Sequence, residues 1–222
     1  SLSQFVRMDN ASQMLQQIGK IKLVSEPNTI WNYSNHSMAA AGYAVAHTFV
    51  PEGTLDEAWQ KAMQTVVFDP LGMTSSTYDI AKAETMEHAE PTAIDMLYQH
   101  FAAPMSVNAN LSGYAPAGSL WTNAEDLGKW MVAEMTQQDP AHAERWKNND
   151  GMLNNTGYGL GMHIEKVDGI VIRHHSGSVN GFQTKITFLP EQKLAIATMT
   201  NSGVAYLIKS DVIIITFLKS KI

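Results

Sequence analysis

The sequence predicts an α+β protein in which a mostly helical half precedes an antiparallel sheet. Two observations support this division. Helix-capping patterns and apolar residues at helical spacing recur up to about residue 150. From about residue 157 onward, short apolar runs are separated by turn signals. We therefore expect a mostly helical domain over residues 1–150 and a sheet-containing domain over residues 151–222.

Four main helices are predicted in the first half. Asn10 with Gln13 gives a capping signal ahead of apolar residues at helical spacing. An alanine-rich run from Asn35 to about Phe49 indicates a second helix. The third and fourth each follow a capping box, one from Thr54 to Glu57 and one from Thr122 to Glu125. These patterns place helices at both ends of a long connection.

That connection covers roughly residues 74–120. Its acidic residues between positions 79 and 95 outnumber the single Lys82, which favours a solvated surface loop. Loops of this length in compact domains often form lids or the walls of a cleft. We therefore expect residues 74–120 to form a long cleft-wall loop.

Four antiparallel strands are predicted in the second half. Asp168-Gly169 is a strong hairpin signal between the runs Tyr158 to Val167 and Ile170 to His175. Residues 182–188 alternate between larger apolar and polar side chains, and a turn at Pro190 leads into the run from Leu194 to Thr200. The terminal apolar segment, residues 204–218, is too short and too interrupted by charge for a membrane span, so we expect it to pack as a helix or strand.

Composition excludes several classes of function. The net charge is −6, and no basic patch interleaved with aromatic residues is present, which argues against a nucleic-acid partner. The absence of cysteine excludes disulfides, thiolate catalysis and cysteine-ligated zinc. None of the eight histidines has the spacing of a zinc hydrolase motif. We expect no metal and no cofactor.

Two short segments could carry chemistry. Tyr33 and Asn35 lie two residues apart at the start of a predicted helix, where both can point into one cleft. A phenol can shuttle a proton if neighbouring cations lower its pKa, and an amide can both donate to and accept from a substrate amide. The alternative is a core or capping tyrosine.

The second segment runs from Arg173 to Ser178. The adjacent His174 and His175 should point to opposite faces of a strand, so they cannot easily share a metal. Gly177 would let a substrate backbone approach the strand, and the N–H of Ser178 is placed to stabilise an oxyanion. The alternative is a buried histidine beside a glycine bulge.

Four blocks, taken together and in order, resemble the family of serine β-lactamases, penicillin-binding proteins and esterases, especially its class C and D-aminopeptidase-like branches. They are Pro27-Asn28-Thr29 with Tyr33-Ser34-Asn35 and Gly42-Tyr43; Asp69-Pro70-Leu71-Gly72-Met73-Thr74; Ala115-Pro116-Ala117-Gly118-Ser119-Leu120 with Thr122 and Glu125-Asp126-Leu127; and Tyr158-Gly159-Leu160-Gly161 with His175-Ser176-Gly177-Ser178, Gly181-Phe182 and Pro190.

This resemblance implies roles for six residues. Tyr33 is similar to the family's catalytic tyrosine and Asn35 to its substrate-amide partner. His175-Ser176-Gly177 occupies the place of the Lys-Thr-Gly triad, and the N–H of Ser178 would be an oxyanion-hole donor. The implied fold is an antiparallel sheet flanked by helices plus a helical domain, with a cleft between them. The implied partner is a small-molecule or peptide substrate.

Two departures from the family pattern matter. His175 replaces a permanently charged lysine, which moves the expected substrate from β-lactams toward peptides or esters. The family's Ser-x-x-Lys nucleophile motif, in which one helical turn brings the lysine beside the serine, is absent from the 222 residues. We expect the nucleophile in an N-terminal part of the α/β domain that is missing from this chain and acts as its partner.

Two readings of the function remain open. The favoured one is a partial chain of a serine hydrolase that acts by acyl transfer on amides or esters and is inactive without its nucleophile segment. The alternative is a non-catalytic homologue that keeps the cleft for ligand binding or scaffolding. The resemblance also implies a bacterial protein that is periplasmic or secreted, with a cytoplasmic location left open.

Overall fold

The structure is a computed structural model that describes residues 8–27, 29–97, 99–109, 111–136, 140–147, 156–203 and 216. The chain divides into two compact units, Ser1–Glu90 with Ala103–Asp126 and Pro91–Ala102 with Leu127–Ile222. This division differs from the predicted boundary near residue 150. The reason is that Leu127 and Met131, in the helix over Ala124–Thr136, pack against Phe188 of the sheet. Most of that helix therefore belongs with the strands.

The first unit is built mainly from helices, as the capping patterns predict. The three helices nearest the N-terminus are α1 (Ala11–Ile18), α2 (Asn35–Phe49) and α3 (Leu55–Met63). Both reciprocal hydrogen bonds of the capping box between Thr54 and Glu57 are formed at the start of α3. A π-helical turn over Gln64–Phe68 then leads into the short α4 (Asp69–Leu71).

The core of the first unit is formed where α2 packs on a 3₁₀ helix over Ser112–Ala117. Tyr43 of α2 is 1 % exposed. Its hydroxyl lies 3.3 Å from the carbonyl oxygen of Gly113 and 3.4 Å from Oδ1 of Asp56. One turn of α2 can approach the 3₁₀ helix closely because Gly42 has no side chain, and a Cβ there would overlap Pro116. A separate cluster of three buried alanines, Ala46, Ala58 and Ala62, lies between α2 and α3.

Residues 74–120, predicted as one long loop, contain several short elements. These are α5 (Ile80–Thr85), β1 (Thr92–Ile94), β2 (His100–Ala102), α6 (Ser106–Ala109) and the 3₁₀ helix. Two of the acidic residues have local structural roles instead of only being solvated. Asp79 caps α5 by accepting from the backbone of Ala81, and Asp95 accepts from Leu97 in the turn between β1 and β2.

The loop before α5 is tied to the start of α7 (Ala124–Thr136) inside the first unit. The carboxylate of Asp126 is 1 % exposed. It accepts from the backbone N–H of Ser75 at 2.7 Å and from the Ser76 hydroxyl at 3.0 Å. The residue that caps α7 is Asn123 and not the predicted Thr122. Oδ1 of Asn123 accepts a hydrogen bond from the backbone N–H of Asp126 at 2.8 Å. The following α8 (Pro140–Arg145) belongs to the second unit.

The second unit contains a five-stranded antiparallel meander. Its order is β3 (Thr156–Tyr158), β4 (His163–Val167), β5 (Ile170–Val179), β6 (Phe182–Leu189) and β7 (Leu194–Thr200). Asp168 and Gly169 both have positive φ, as the predicted hairpin turn requires. The predicted strand Tyr158 to Val167 is instead two strands, because the chain turns at Gly161, whose φ is +93°.

The sheet carries apolar clusters that decide where its helices pack. Phe188 is fully buried and contacts Trp130 and Trp146 edge to face, with ring centroids 6.0 and 5.6 Å away. A second cluster contains the fully buried Ile172 and Leu189. The β1–β2 hairpin is joined to the sheet through Thr92, whose N–H donates to the Asn201 carbonyl at 2.9 Å. The predicted terminal helix or strand over residues 204–218 lies outside the described residues apart from Thr216.

No helix among the described residues is long and apolar enough to cross a membrane.

Candidate functional site

Tyr33 and Asn35 flank Ser34, the residue that caps the start of α2. The side chain of Ser34 accepts from the backbone N–H of Ser37 at 3.1 Å, so Ser34 is the N-cap and Asn35 the first helical residue. Tyr33 therefore stands just outside the helix and is 37 % exposed. The predicted placement of this motif at the mouth of a helix is confirmed.

The Tyr33 phenol is not activated as a base within the first unit. Its partial burial raises the pKa above the ordinary value. The hydroxyl is therefore protonated at neutral pH and can donate a hydrogen bond or a proton. A role as base would need a nearby cation to lower that pKa.

The segment from His175 to Ser178 forms one margin of the sheet. The pairing of β4 with β5 ends at His163 opposite His174, whereas the pairing of β5 with β6 continues to Val179. Within the described residues, this stretch of β5 therefore has a neighbouring strand on one side only. Ser176, Gly177 and Ser178 are all exposed, and a Cβ at Gly177 would meet nothing within 4 Å. Such a margin offers backbone N–H and C=O groups to an extended ligand.

His175 is held by two hydrogen bonds inside the second unit. Its Nε2 lies 3.1 Å from the Tyr158 hydroxyl, and its Nδ1 lies 2.8 Å from the Ser176 carbonyl oxygen. Desolvation and the neighbouring His163 lower the pKa of His175. The imidazole is therefore neutral at pH 7, unlike the lysine that occupies this position in the family's triad.

His174 and His175 were predicted to point to opposite faces of the strand, yet the rings of both lie close to His163. Nε2 of His174 lies 3.2 Å from Oε1 of Glu165, and the His174 ring stacks on His163 with centroids 5.3 Å apart. His163 also lies 5.4 Å from the ring of His175. No group of three or more potential metal-binding side chains among the described residues has a geometry that could hold a metal ion.

The six predicted site residues fall into two sets. Tyr33 and Asn35 belong to the first unit, and His175, Ser176, Gly177 and Ser178 belong to the second. The residues that sequence reasoning missed are Tyr158 and His163, which surround His175. In the sequence, Tyr158 stands out only as part of the motif Tyr158-Gly159-Leu160-Gly161. No local pattern links it to His175, which lies 17 positions later.

The lowered pKa of His175 predicts a loss of stability in acid. Above the ordinary imidazole pKa of about 6.5, the side chain is neutral in both folded and unfolded states and has no effect. Below that pH, the unfolded chain takes up the proton first, so the free energy of unfolding falls until the lower folded pKa is reached. One proton changes it by at most about 1.4 kcal/mol per pH unit.

Urea titrations at a series of pH values measure this dependence, and His175→Gln provides the reference. Tyr158 and His163 face the imidazole from β3 and β4, and both remain in the variant, so the difference between the two proteins reports His175. We expect the wild type to lose stability more steeply than the variant below neutral pH. Identical slopes would contradict a lowered pKa.

Comparisons with known proteins agree with this architecture. A family model described as Beta-lactamase matches residues 3–207. The chain is 25 % identical over 199 residues to an unguisins hydrolase of Aspergillus campestris, covering 79 % of this chain and 34 % of that protein. It is 25 % identical over 208 residues to an unguisins hydrolase of Aspergillus violaceofuscus, covering 79 % and 35 %. The chain thus spans about a third of the length of these curated relatives.

Solved structures show the same fold at low sequence identity. An octameric penicillin-binding protein homologue from Pyrococcus abyssi matches with a TM-score of 0.75 and 18 % identity, covering 89 % of this chain and 45 % of the other. A penicillin-binding protein from Bacillus halodurans matches with a TM-score of 0.73 and 17 % identity, covering 95 % and 64 %. A D-stereospecific amidohydrolase from Streptomyces sp. has a TM-score of 0.68 and 17 % identity, covering 89 % and 58 %.

These matches confirm the predicted α+β fold and the family resemblance. The curated relatives are fungal, and the bacterial source and the periplasmic or secreted location stay predictions. Because the family model matches most of the chain, including both motif segments, this protein belongs to the beta-lactamase family of hydrolases.

Proposed function

We propose that this chain supplies the tyrosine and His-Ser-Gly parts of a serine hydrolase site that acts by acyl transfer on amides or esters. The observation that carries the proposal is the exposed margin of β5 at Ser176 to Ser178, which pairs with a strand on one side only within the described residues. The nucleophile comes from polypeptide outside these 222 residues, because no Ser-x-x-Lys occurs within them.

Each residue has a role that its environment allows. The carbonyl of an extended substrate lies along β5, where Gly177 leaves open space and the N–H of Ser178 donates to the developing oxyanion. Asn35 bonds the substrate amide. The nucleophile's oxygen bonds to the carbonyl carbon, and the bond to the leaving group breaks. The Tyr33 phenol, which is protonated at neutral pH, gives its proton to the leaving amine or alkoxide and takes up the proton lost by the nucleophile, so it is unchanged at the end of the step.

A second candidate is a non-catalytic homologue that keeps these residues for ligand binding or scaffolding. The absence of Ser-x-x-Lys from the chain favours it. The two candidates differ in whether the complete gene product forms a covalent adduct with a reagent that acylates or phosphonylates serine.

We expect the product of the complete gene to be labelled by a fluorophosphonate or a fluorescent penicillin, and the 222-residue chain alone to remain unlabelled. In the complete product, Tyr33→Phe should slow hydrolysis of a D-amino-acid amide or a short-chain ester by about 10²- to 10⁴-fold, the usual contribution of acid–base catalysis. Intact mass measures the adduct, and steady-state kinetics measure the rate.

Tyr43→Phe is the matched control, because it removes the same type of hydroxyl from a buried position in the adjacent helix α2. It should lower stability without changing the turnover number. An adduct on the 222-residue chain itself would contradict the location of the nucleophile. The absence of an adduct on the complete product would favour the non-catalytic homologue.

A further inference from the structure

Each ring nitrogen of His175 lies within hydrogen-bonding distance of one partner. Nδ1 lies 2.8 Å from the backbone carbonyl oxygen of Ser176, and Nε2 lies 3.1 Å from the hydroxyl of Tyr158. The two partners differ in kind. A carbonyl oxygen can only accept a hydrogen bond, whereas a phenol can donate or accept.

This difference determines which nitrogen carries the proton. Nδ1 must be protonated, because it faces a carbonyl. A neutral imidazole has one N–H, so Nε2 is then an acceptor and the Tyr158 hydroxyl donates to it. If Nε2 carried the proton instead, Nδ1 and the Ser176 oxygen would be two acceptors 2.8 Å apart.

Packing holds the Tyr158 ring in place to donate this hydrogen bond. Tyr158 is 6 % exposed, and it lies opposite His163 in the register of β3 and β4. Its ring meets that of His163 edge to face with centroids 4.8 Å apart, and that of His175 with centroids 6.1 Å apart. These two ring contacts hold the Tyr158 ring in an orientation that directs its hydroxyl at Nε2 of His175.

We infer that Tyr158 is a positioning residue whose hydroxyl donates to Nε2 and so stabilises neutral His175, with the imidazole proton on Nδ1 directed at the Ser176 carbonyl. His175 in turn holds the Ser176 carbonyl, and with it the direction of the backbone that leads to Gly177 and Ser178. The side chain of His175 therefore carries no charge at neutral pH.

This absence of charge defines a substrate class, an inference that rests on the proposed function. A lysine at the position of His175 would offer a permanent cation to a carboxylate next to the scissile bond. The neutral His175 offers none, and its ring nitrogens already have partners. The site then selects amides or esters whose neighbouring group is uncharged over substrates that end in a carboxylate.

The tautomer can be measured directly by NMR on the chain labelled with ¹⁵N at histidine. At neutral pH, we expect Nδ1 of His175 to have a pyrrole-type shift and Nε2 a pyridine-type shift. In Tyr158→Phe the hydrogen bond that favours the neutral form is lost. We expect Nδ1 to keep its proton toward the Ser176 carbonyl and the protonation constant of His175 to become about three- to tenfold larger, from the usual strength of one hydrogen bond.

The chain offers a matched control in Tyr114, whose hydroxyl lies 3.0 Å from Nε2 of His36 in the first unit. Tyr114→Phe removes the same type of bond and should alter the signals of His36 while leaving those of His175 unchanged. A wild-type protein with the proton on Nε2 would overturn the inference, whether or not Tyr158→Phe folds. So would an unchanged protonation constant of His175 in a folded Tyr158→Phe variant.

Substrate choice is tested with two probes that differ only in charge, N-acetyl-D-alanine amide and N-acetyl-D-alanine. We expect the amide to shift the backbone signals of Ser176 to Ser178 and the carboxylate to bind at least tenfold more weakly, with the preference reduced in His175→Lys. Equal binding of both probes would overturn the substrate class. If neither probe binds, the proposed function fails at this edge, while the tautomer measurement still decides the role of Tyr158.

Discussion

Replacing Gly42 with alanine is expected to lower the free energy of unfolding by about 3 kcal/mol, at the upper end of what overpacking costs. The added Cβ would overlap Pro116 of the 3₁₀ helix and lie 3.2 Å from Cζ3 of Trp59. Neither neighbour can withdraw easily, because Pro116 is part of a cyclic backbone unit and Trp59 packs in the alanine-rich core. Urea titration followed by the amide signals of the first unit measures the effect.

Gly128→Ala is the control that separates this clash from a general effect of glycine in helices. Gly128 lies inside α7, and a Cβ there would meet nothing within 4 Å. The substitution should raise stability by about 0.5–1 kcal/mol, since alanine restricts the unfolded chain. If both variants are stabilised, α2 does not approach the 3₁₀ helix as closely as described.

Phe188→Ala is expected to destabilise the second unit by about 3–5 kcal/mol. The Phe188 ring is fully buried and lies against both Trp130 and Trp146. Trp130 is part of α7, and Trp146 directly follows α8. Its removal leaves a cavity between the sheet and these helices that two large rings cannot easily fill. The loss should appear in urea titration as an earlier transition of the amide signals of β5 and β6.

Phe101→Ala provides the comparison within the same unit. Phe101 lies on β2 and is 48 % exposed. Its removal should change the free energy of unfolding by about 0.5 kcal/mol, which is typical of surface positions. A similar loss in both variants would contradict the packing of Phe188 between the sheet and the two tryptophans.

The candidate site was predictable as far as local patterns reach. The cap at Ser34 and the position of Asn35 at the first turn of α2 follow from residues adjacent in sequence. The exposed margin of β5 was not predictable in this way. It depends on where β4 stops, and β4 begins only at His163 because a glycine turn divides the predicted strand in two.

His175 shows most clearly where sequence reasoning ends. The sequence identifies an imidazole in place of a lysine, which is enough to expect a weaker and pH-dependent charge. Its hydrogen bond to Tyr158 spans 17 residues and three strands, and His163 approaches from the strand between them. Burial and the neighbouring His163 lower the pKa of His175, and its hydrogen bonds involve groups on two other residues, Tyr158 and Ser176.

The amino-acid sequence by itself determined the α+β class, the helices with strong caps, the Asp168-Gly169 hairpin and the two motif segments, because each depends on neighbours within a few positions. The tertiary structure was needed to show which residues surround His175 and why Leu127 belongs with the sheet. The physical reason is that burial and cross-strand register bring together residues distant in sequence, and their packing is not encoded in any local pattern.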